Sequence, residues 1–202
     1  MSTKKSLKGT QTEKNLITSF ANESQASARY SFFASQAKKE GYVEIQAFFE
    51  QTAEQEKAHA KRFFKFLEGG EVNVNFDFPA GVIADTVTNL ETSAKLEWDE
   101  MESLYPEFAK IAEEEGFPVI AATFRNVAVA EGQHSRVYTE FANRLKEGTY
   151  FKSEETITWQ CRKCGFLYKG TTPPKVCPAC AHPIDHFQRL SDAPIAPIST
   201  VG

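Results

Sequence analysis

The stretch VAVAEGQHSRVYTEF, residues 127–141, holds the main clue to the architecture of this 202-residue chain. Its apolar residues recur at steps of three and four, which predicts a helix with one buried face. Glu131 and His134 fall on that same face, because residues three apart on a helix project from one side. A carboxylate and an imidazole are costly to bury without a partner. This helix therefore predicts a polar site inside a helical core.

Three further segments repeat the pattern, and together the four predict a helical bundle. The first begins with a capping box, Thr10-Gln-Thr-Glu13, in which a hydroxyl and a carboxylate satisfy free N–H groups. The predicted helices cover 10–41, about 43–68, a segment from just after Pro79 to about Glu115, and 118–147. The longest link, 70–79, is a crossover, which suits a bundle whose connections are not all short hairpins.

The inward stripe of each predicted helix carries polar residues at its middle. Helix 3 shows the rule, since its predicted stripe includes Ile83, Leu90, Leu104, Phe108 and Ile111 on either side of two glutamates. The second and fourth helices each carry Glu-x-x-His, with both side chains on one face. The full polar set consists of five glutamates and two histidines: Glu23, Glu56, His59, Glu97, Glu100, Glu131 and His134.

A single Glu-x-x-His on a helix is most often part of a solvated face, because both residue types are common there. Here the motif recurs, and every member lies on an apolar stripe. Five carboxylates in one dry core repel each other and lose hydration, which a pair of divalent cations relieves. Mixed carboxylate and imidazole ligands favour iron or manganese over zinc. Glu56 and Glu131 are best placed to bridge two ions, because each precedes a histidine on its own helix.

A second cluster lies near the end of the chain. Cys161 and Cys164, twelve further residues, then Cys177 and Cys180 form two C-x2-C knuckles, a pattern typical of one tetrahedral thiolate site. About 40 residues cannot build a sufficient core, so the metal supplies folding energy. The spacing fits structural zinc or a redox-active iron equally, and the redox-capable bundle favours iron. Gly165 suits a left-handed turn after the first knuckle. Ala181 takes the equivalent place in the second, either with strain or with a different geometry.

The composition limits the remaining possibilities. We place a boundary at about residue 148, which gives a bundle over 1–148, a cysteine domain over 149–190 and a Pro-rich tail over 191–202 expected to be flexible. A net charge of −4 gives no indication of a nucleic-acid partner. The sequence has no membrane-length apolar run and no signal-peptide pattern, so a cytoplasmic protein with reduced cysteines is expected.

These motifs together resemble those of the rubrerythrins, which join a ferritin-like di-iron four-helix bundle to a small rubredoxin-like β domain. The resemblance covers about residues 6–190. It lies in both cysteine knuckles and in four bundle motifs: FANESQASARY at Glu23, QTAEQEKAHAKRFFKFLEGG at Glu56 and His59, LEWDEM at Glu97 and Glu100, and AVAEGQH at Glu131 and His134.

The resemblance implies a peroxidase that reduces hydrogen peroxide to water in defence against oxidative stress. The cofactors would be two irons in the bundle and one iron at the four cysteines, with zinc as a possible substitute there. The first bundle iron would be held by Glu23, Glu56, Glu131 and either Glu100 or His59. The second would be held by Glu97, Glu56, Glu131 and His134. Tyr30 and Tyr105 match family tyrosines near the site, where a packing role and a proton-delivery role remain equal alternatives.

The resemblance also implies partners. An upstream reductase or rubredoxin-type protein would supply electrons through the cysteine-bound iron. That iron follows helix 4, about 20 Å from mid-helix by chain length, so we expect a head-to-tail homodimer that brings one chain's cysteines near its partner's bundle. Two alternatives stay open: a ferroxidase or iron-storage protein, and a non-enzymatic scaffold with a zinc ribbon. A red ferric thiolate, as opposed to a colourless zinc site, distinguishes the last of these.

Overall fold

The computed structural model describes residues 5–190, and it confirms a mainly helical bundle followed by a small β domain. The tail expected to be flexible, 191–202, lies outside the described residues. None of the described helices has the length and apolar character needed to cross a membrane. The helical elements are α1 (Gln11–Lys39), α2 (Val43–Phe64), α3 (Thr86–Asp99), a π-helical segment (Glu100–Leu104), α4 (Tyr105–Glu114) and α5 (Pro118–Lys146).

The bundle core consists of two apolar clusters, one on each side of the mid-helix polar residues. Along α5, residues from Ile120 to Ala128 belong to one cluster and residues from Val137 to Ala142 to the other. α1 and α2 divide in the same way, with Leu16 and Phe63 in the first cluster and Phe33 and Phe49 in the second. Each helix therefore presents its mid-point to a polar layer that is closed above and below by packed aromatic and aliphatic side chains.

Helix α3 begins at Thr86, so the expectation that this helix starts just after Pro79 is wrong. Asp85 caps it by accepting a hydrogen bond from the Thr88 N–H at 2.9 Å, which satisfies one free N–H group of the first turn. The crossover therefore extends over 65–85 and includes Ile83, which is exposed and not part of the inward stripe. α2 also ends earlier than expected, at Phe64.

A π-helical segment interrupts the third helix between α3 and α4. The Tyr105 N–H donates to the carbonyl of Glu100, five residues back, so one extra residue is accommodated in the turn. The buried face of α4 is shifted by one position as a result: Tyr105, Ala109 and Ala112 are buried. The expected positions Leu104, Phe108 and Ile111 are only partly buried. The predicted stripe for this half of the helix is wrong by one residue.

The small domain is a three-stranded antiparallel sheet in the order β2-β1-β3, with β1 at Ile157–Cys161, β2 at Leu167–Gly170 and β3 at Phe187–Arg189. A 3-10 turn at Ile184–His186 precedes β3. Its buried hydrophobic cluster consists of Trp159, Cys161, Cys177 and Phe187. Gly165 has φ +78° and Ala181 has φ 57°, so Ala181 adopts the strained left-handed turn and not a different geometry.

The two parts of the chain touch where α1 joins α2. Gly41 has φ +84°, and an added Cβ there would lie 3.0 Å from the Asp185 carboxylate. Arg189 donates hydrogen bonds to the carbonyls of Thr149 and Lys152 at the start of the small domain. α5 ends at Lys146, close to the boundary placed at residue 148, which stays a prediction.

A candidate dinuclear metal centre and a cysteine cluster

Six of the seven predicted polar residues meet in the middle of the bundle. α1 supplies Glu23, α3 supplies Glu97, and α2 and α5 each supply a Glu-x-x-His pair. The four carboxylates are at most 1% exposed and His134 is 5% exposed, while the His59 side chain is 18% exposed. The helical spacing that the sequence displays thus places both pairs in one enclosed space between α2 and α5.

The first group of potential ligands contains Glu23, Glu56, His59 and Glu131. The His59 Nδ1 atom lies 3.0 Å from Glu56, 3.1 Å from Glu131 and 3.9 Å from Glu23. One ligand atom from each of the four residues lies within 4.8 Å of the others, which is compact enough for all four to bind one ion.

The second group contains Glu56, Glu97, Glu131 and His134 within the same limit of 4.8 Å. The His134 Nδ1 atom lies 2.9 Å from Glu131, 3.2 Å from Glu56 and 3.3 Å from Glu97. Glu56 and Glu131 belong to both groups. The two carboxylates that the sequence marked as bridging candidates are therefore the two that this geometry places between two positions.

The cluster holds several carboxyl groups close together and away from water, and this shifts their pKa values. Burial raises the pKa of Glu97 to about 8 and raises the pKa of Glu23 well above its usual value. Burial also raises the pKa of Glu56, but the nearby His134 and His59 imidazoles outweigh it and hold this pKa at about 2. For His59, the nearby carboxylates of Glu131 and Glu56 overcome burial and raise the pKa to about 10.

Several carboxylate oxygens in this cluster are left without a hydrogen bond. Both oxygens of Glu131 and Oε1 of Glu56 are buried and lack a hydrogen bond of good geometry, although each lies 2.9–3.2 Å from an imidazole Nδ1. Buried carboxylate oxygens require a partner. Oxygen and imidazole donors in this number suit a pair of transition-metal ions. The residues present therefore fit a dinuclear centre.

Two tyrosines hold the outer carboxylates. The Tyr30 hydroxyl donates to Glu97, and the Tyr105 hydroxyl donates to Glu23. Burial raises the pKa of both phenols well above the usual value, so both keep their protons at neutral pH. Tyr105 reaches Glu23 because the π-helical segment turns it inward, where the uninterrupted spacing of the sequence placed Leu104.

Glu100 is the seventh predicted residue, and it belongs to neither group of potential ligands. It is the first residue of the π-helical segment and is partly buried. Burial raises its pKa well above the usual value, and the neighbouring Glu97 and Glu131 raise it further. His59, and not Glu100, belongs to the first group in this structure. Glu100 lies close enough for the carboxylates of the cluster to affect its pKa.

The four cysteines also meet in one place. The Sγ atoms of Cys161 and Cys180 are 3.8 Å apart, those of Cys164 and Cys177 are 3.7 Å apart, and all four are free of disulfides. Backbone N–H groups of Ala179 and Cys180 outweigh desolvation and lower the pKa of Cys177 to about 7. A lowered thiol pKa favours the thiolate that binds metal. Four sulfurs at these separations fit a single tetrahedral ion.

Gln55 is a residue of this site that the sequence did not reveal. Its side-chain Oε1 lies 3.0 Å from the His134 Nε2 atom, on the far side of the ring from the carboxylates. Gln55 is partly buried and lies off the apolar stripe of α2. The one available signal was its place directly before Glu56 in the repeated motif.

The chain matches two family models. The model described as Rubrerythrin matches residues 14–142, and the model described as Rubrerythrin, rubredoxin-like domain matches residues 159–188. The first match contains every carboxylate and imidazole of the bundle site, and the second contains all four cysteines.

Individual relatives agree with these matches. A rubrerythrin of Nitratidesulfovibrio vulgaris is 53% identical over 186 residues, covering 92% of this chain and 97% of that protein. A rubrerythrin of Clostridium perfringens is 49% identical, covering 91% and 96%. Among solved structures, a mixed-valence state of nigerythrin superposes with a TM-score of 0.61 at 28% identity, covering 94% of this chain and 90% of that chain.

Proposed function

Because this chain belongs to the rubrerythrin family, we propose that it is a non-haem di-iron peroxidase that reduces hydrogen peroxide to water. Electrons enter through a single iron at the four cysteines. The observation that carries the proposal is the pair of four-residue groups that share Glu56 and Glu131, on the same chain as a four-cysteine cluster.

The ligand sets follow from the two groups. One iron would be held by Glu23, Glu56, His59 and Glu131, and the other by Glu56, Glu97, Glu131 and His134. Glu100 is the proposed alternative to His59, and the mononuclear iron would be held by Cys161, Cys164, Cys177 and Cys180. When bound, the iron pair supplies the two electrons that one peroxide molecule needs.

The protein's own groups position the site and handle protons. Tyr30 and Tyr105 orient Glu97 and Glu23 through their hydroxyl hydrogen bonds, and each phenol keeps a proton next to a carboxylate. Reduction of one peroxide to two waters consumes two protons. A carboxyl outside the two ligand groups, such as Glu100, is the proposed carrier that passes these protons on.

The ends of the polar layer keep bulk water out. Phe49 and Phe141 on one side, and Phe63 and Phe124 on the other, have no exposed surface. An enclosed site strengthens each electrostatic contact and restricts entry to small molecules. Hydrogen peroxide is small enough for such a site, and we propose it as the substrate.

The four-cysteine cluster favours this function over iron oxidation or storage, because storage needs no inlet for electrons. We further propose a reductase or rubredoxin-type donor, a head-to-tail homodimer and a cytoplasmic role in oxidative-stress defence. The dimer follows from distance, since the cysteine domain leaves the bundle at the end of α5 while the polar layer lies at its middle.

A stoichiometric titration tests the function. Iron-loaded protein is reduced anaerobically, which bleaches the red ferric thiolate, and peroxide is added in small steps. Three stored electrons and two electrons per peroxide require about one and a half peroxide molecules per chain for full return of colour. Glu131→Ala is the matched variant: it keeps the red centre and should lose rapid peroxide reduction. Colour that stays bleached in the unaltered protein at this ratio refutes the peroxidase function.

A further inference from the structure

The two histidines of the bundle site are held differently. His134 has contacts at both ring nitrogens: Nδ1 faces the carboxylates at 2.9–3.3 Å, and Nε2 lies 3.0 Å from Gln55 Oε1. His59 contacts the carboxylates through Nδ1, and within residues 5–190 its Nε2 atom has no hydrogen-bond partner. His134 is also the more deeply buried of the two side chains, at 6% exposure against 18%.

The second contact determines which nitrogen of His134 can bind a metal. An amide oxygen only accepts hydrogen bonds, so Gln55 requires a proton on Nε2. A neutral imidazole with its proton on Nε2 has its lone pair on Nδ1, the nitrogen that faces Glu56, Glu97 and Glu131. The hydrogen bond therefore selects the metal-binding tautomer of His134 and also fixes the rotation of its ring.

The sequence shows why His59 lacks such a contact. The two motifs are equivalent segments, Gln55-Glu56-x-x-His59 on α2 and Ala130-Glu131-x-x-His134 on α5. The residue before Glu56 bonds the histidine of the opposite motif. The equivalent residue before Glu131 is Ala130, whose methyl group cannot accept a hydrogen bond. The pseudo-symmetry of the two motifs is thus broken at one position, and only one imidazole is anchored.

We propose that Gln55 is a positioning residue that makes His134 the permanent imidazole ligand of the metal pair. Because Ala130 offers no such hydrogen bond, His59 can dissociate from the metal pair. The inference rests on the dinuclear site of the proposed function. It gives a structural reason why the two histidines of that site behave differently. The ligand exchange expected between His59 and Glu100 occurs at only one of the two ions. Of the two histidines, only His59 can rotate without breaking a second hydrogen bond.

Nuclear magnetic resonance of the zinc-loaded full chain tests the tautomer directly, since zinc is diamagnetic. With ¹⁵N-labelled histidine, His134 should carry its proton on Nε2, and that proton should exchange slowly with water. His59 Nε2–H should exchange at least about tenfold faster. Gln55→Leu should remove the slow exchange at His134 only. Equal exchange at the two histidines in the unaltered protein would overturn the proposal.

Cobalt titration tests the consequence for binding. With the cysteines first filled with zinc, Co²⁺ reports on the bundle through its visible absorption. Gln55→Leu should weaken one of the two binding steps about tenfold, because only one group contains His134. Gln55→Glu keeps an acceptor oxygen and should restore that step. Gln46→Leu is the matched control, since Gln46 lies on the same helix and its side chain, within residues 5–190, bonds only Glu50. Equal weakening of both steps would indicate a general structural effect and overturn the proposal.

The reverse substitution tests the role of Ala130. Ala130→Gln should give His59 a slowly exchanging Nε2–H, and unchanged exchange there would show that Ala130 has no such role. These outcomes are separable from the proposed function. Protein that binds two ions with the predicted asymmetry but leaves peroxide unreduced refutes the peroxidase and leaves the positioning role of Gln55 standing.

Discussion

The bundle and the cysteine domain place their proposed metal ligands in opposite relations to their hydrophobic cores. In the bundle, the carboxylates and imidazoles lie between two large apolar clusters that pack without them. In the small domain, two of the four members of the buried hydrophobic cluster, Cys161 and Cys177, are themselves proposed ligands. The proposed ions would therefore relieve charge repulsion inside a core that the bundle already has, whereas in the small domain the ion would be part of the core.

The largest expected effect is the loss of the small domain when one cysteine is replaced. Cys177→Ser should remove a ligand and a core residue together, with a loss on the order of 10 kcal/mol of metal-dependent folding energy. Limited proteolysis should then cut within 150–190 while helical circular dichroism of the bundle persists. Glu131→Gln should do the opposite, emptying the bundle of metal and leaving both regions resistant. A small domain that stays protected in Cys177→Ser contradicts the comparison.

A medium effect is expected from pH on the metal-free bundle. Glu97 has a pKa of about 8 against a usual 4.5, so the folded bundle holds a proton that the unfolded chain has lost above pH 4.5. His59 acts in the same direction, with a pKa of about 10 against 6.5. The stabilisation from both protons is lost as pH rises, so the free energy of unfolding should fall by about 5 kcal/mol between pH 5.5 and pH 8, with Glu97 contributing the larger share.

Urea unfolding with chelator present, followed by circular dichroism at the two pH values, measures this fall. Metal-loaded protein should show little of it, because cations replace the protons among the carboxylates. Glu97→Gln should remove much of the slope in the metal-free protein. Stability that rises over this interval would show that the cluster does not retain its protons. Glu56, with a pKa of about 2, contributes stability that is lost only below about pH 4.5.

The smallest effect concerns the contact between the two regions. Gly41→Ala forces a side chain into a left-handed conformation and toward the Asp185 carboxylate, 3.0 Å away. Gly148→Ala is the matched control, because Gly148 also follows a helix end with φ +65° and has no atom within 4 Å of the added Cβ. Both changes should cost about 1 kcal/mol from the backbone alone.

Only Gly41→Ala should cost more than its control, by about 1 kcal/mol, and Asp185→Ala in the same chain should recover that excess. Unfolding monitored by circular dichroism measures both values. Equal losses of unfolding free energy at Gly41 and Gly148 would mean that the bundle and the small domain are not in close contact at Asp185. The stability of one core would then not depend on the other through this contact.

Much of the bundle and most of its site were predictable from the sequence. A repeated motif on an apolar stripe identifies Glu56, His59, Glu131 and His134. The start of the first helix at Thr10 follows from local capping. The start of the third helix was not predictable in this way. Pro79 and Asp85 both offer plausible beginnings, and the choice depends on how the crossover packs, including the hydrogen bond from the Thr86 N–H to Glu40.

Periodicity and spacing within short segments are enough to predict the helical faces, the glutamate and histidine pairs and the four-cysteine pattern. Three other features emerge only when the helices pack: the π-helical turn that brings Tyr105 to Glu23, the hydrogen bond between Gln55 and His134, and the position of Asp185 against Gly41. Each of these joins residues distant along the chain. Such contacts are settled by which packing of whole helices has the lowest free energy, and no local pattern records that competition.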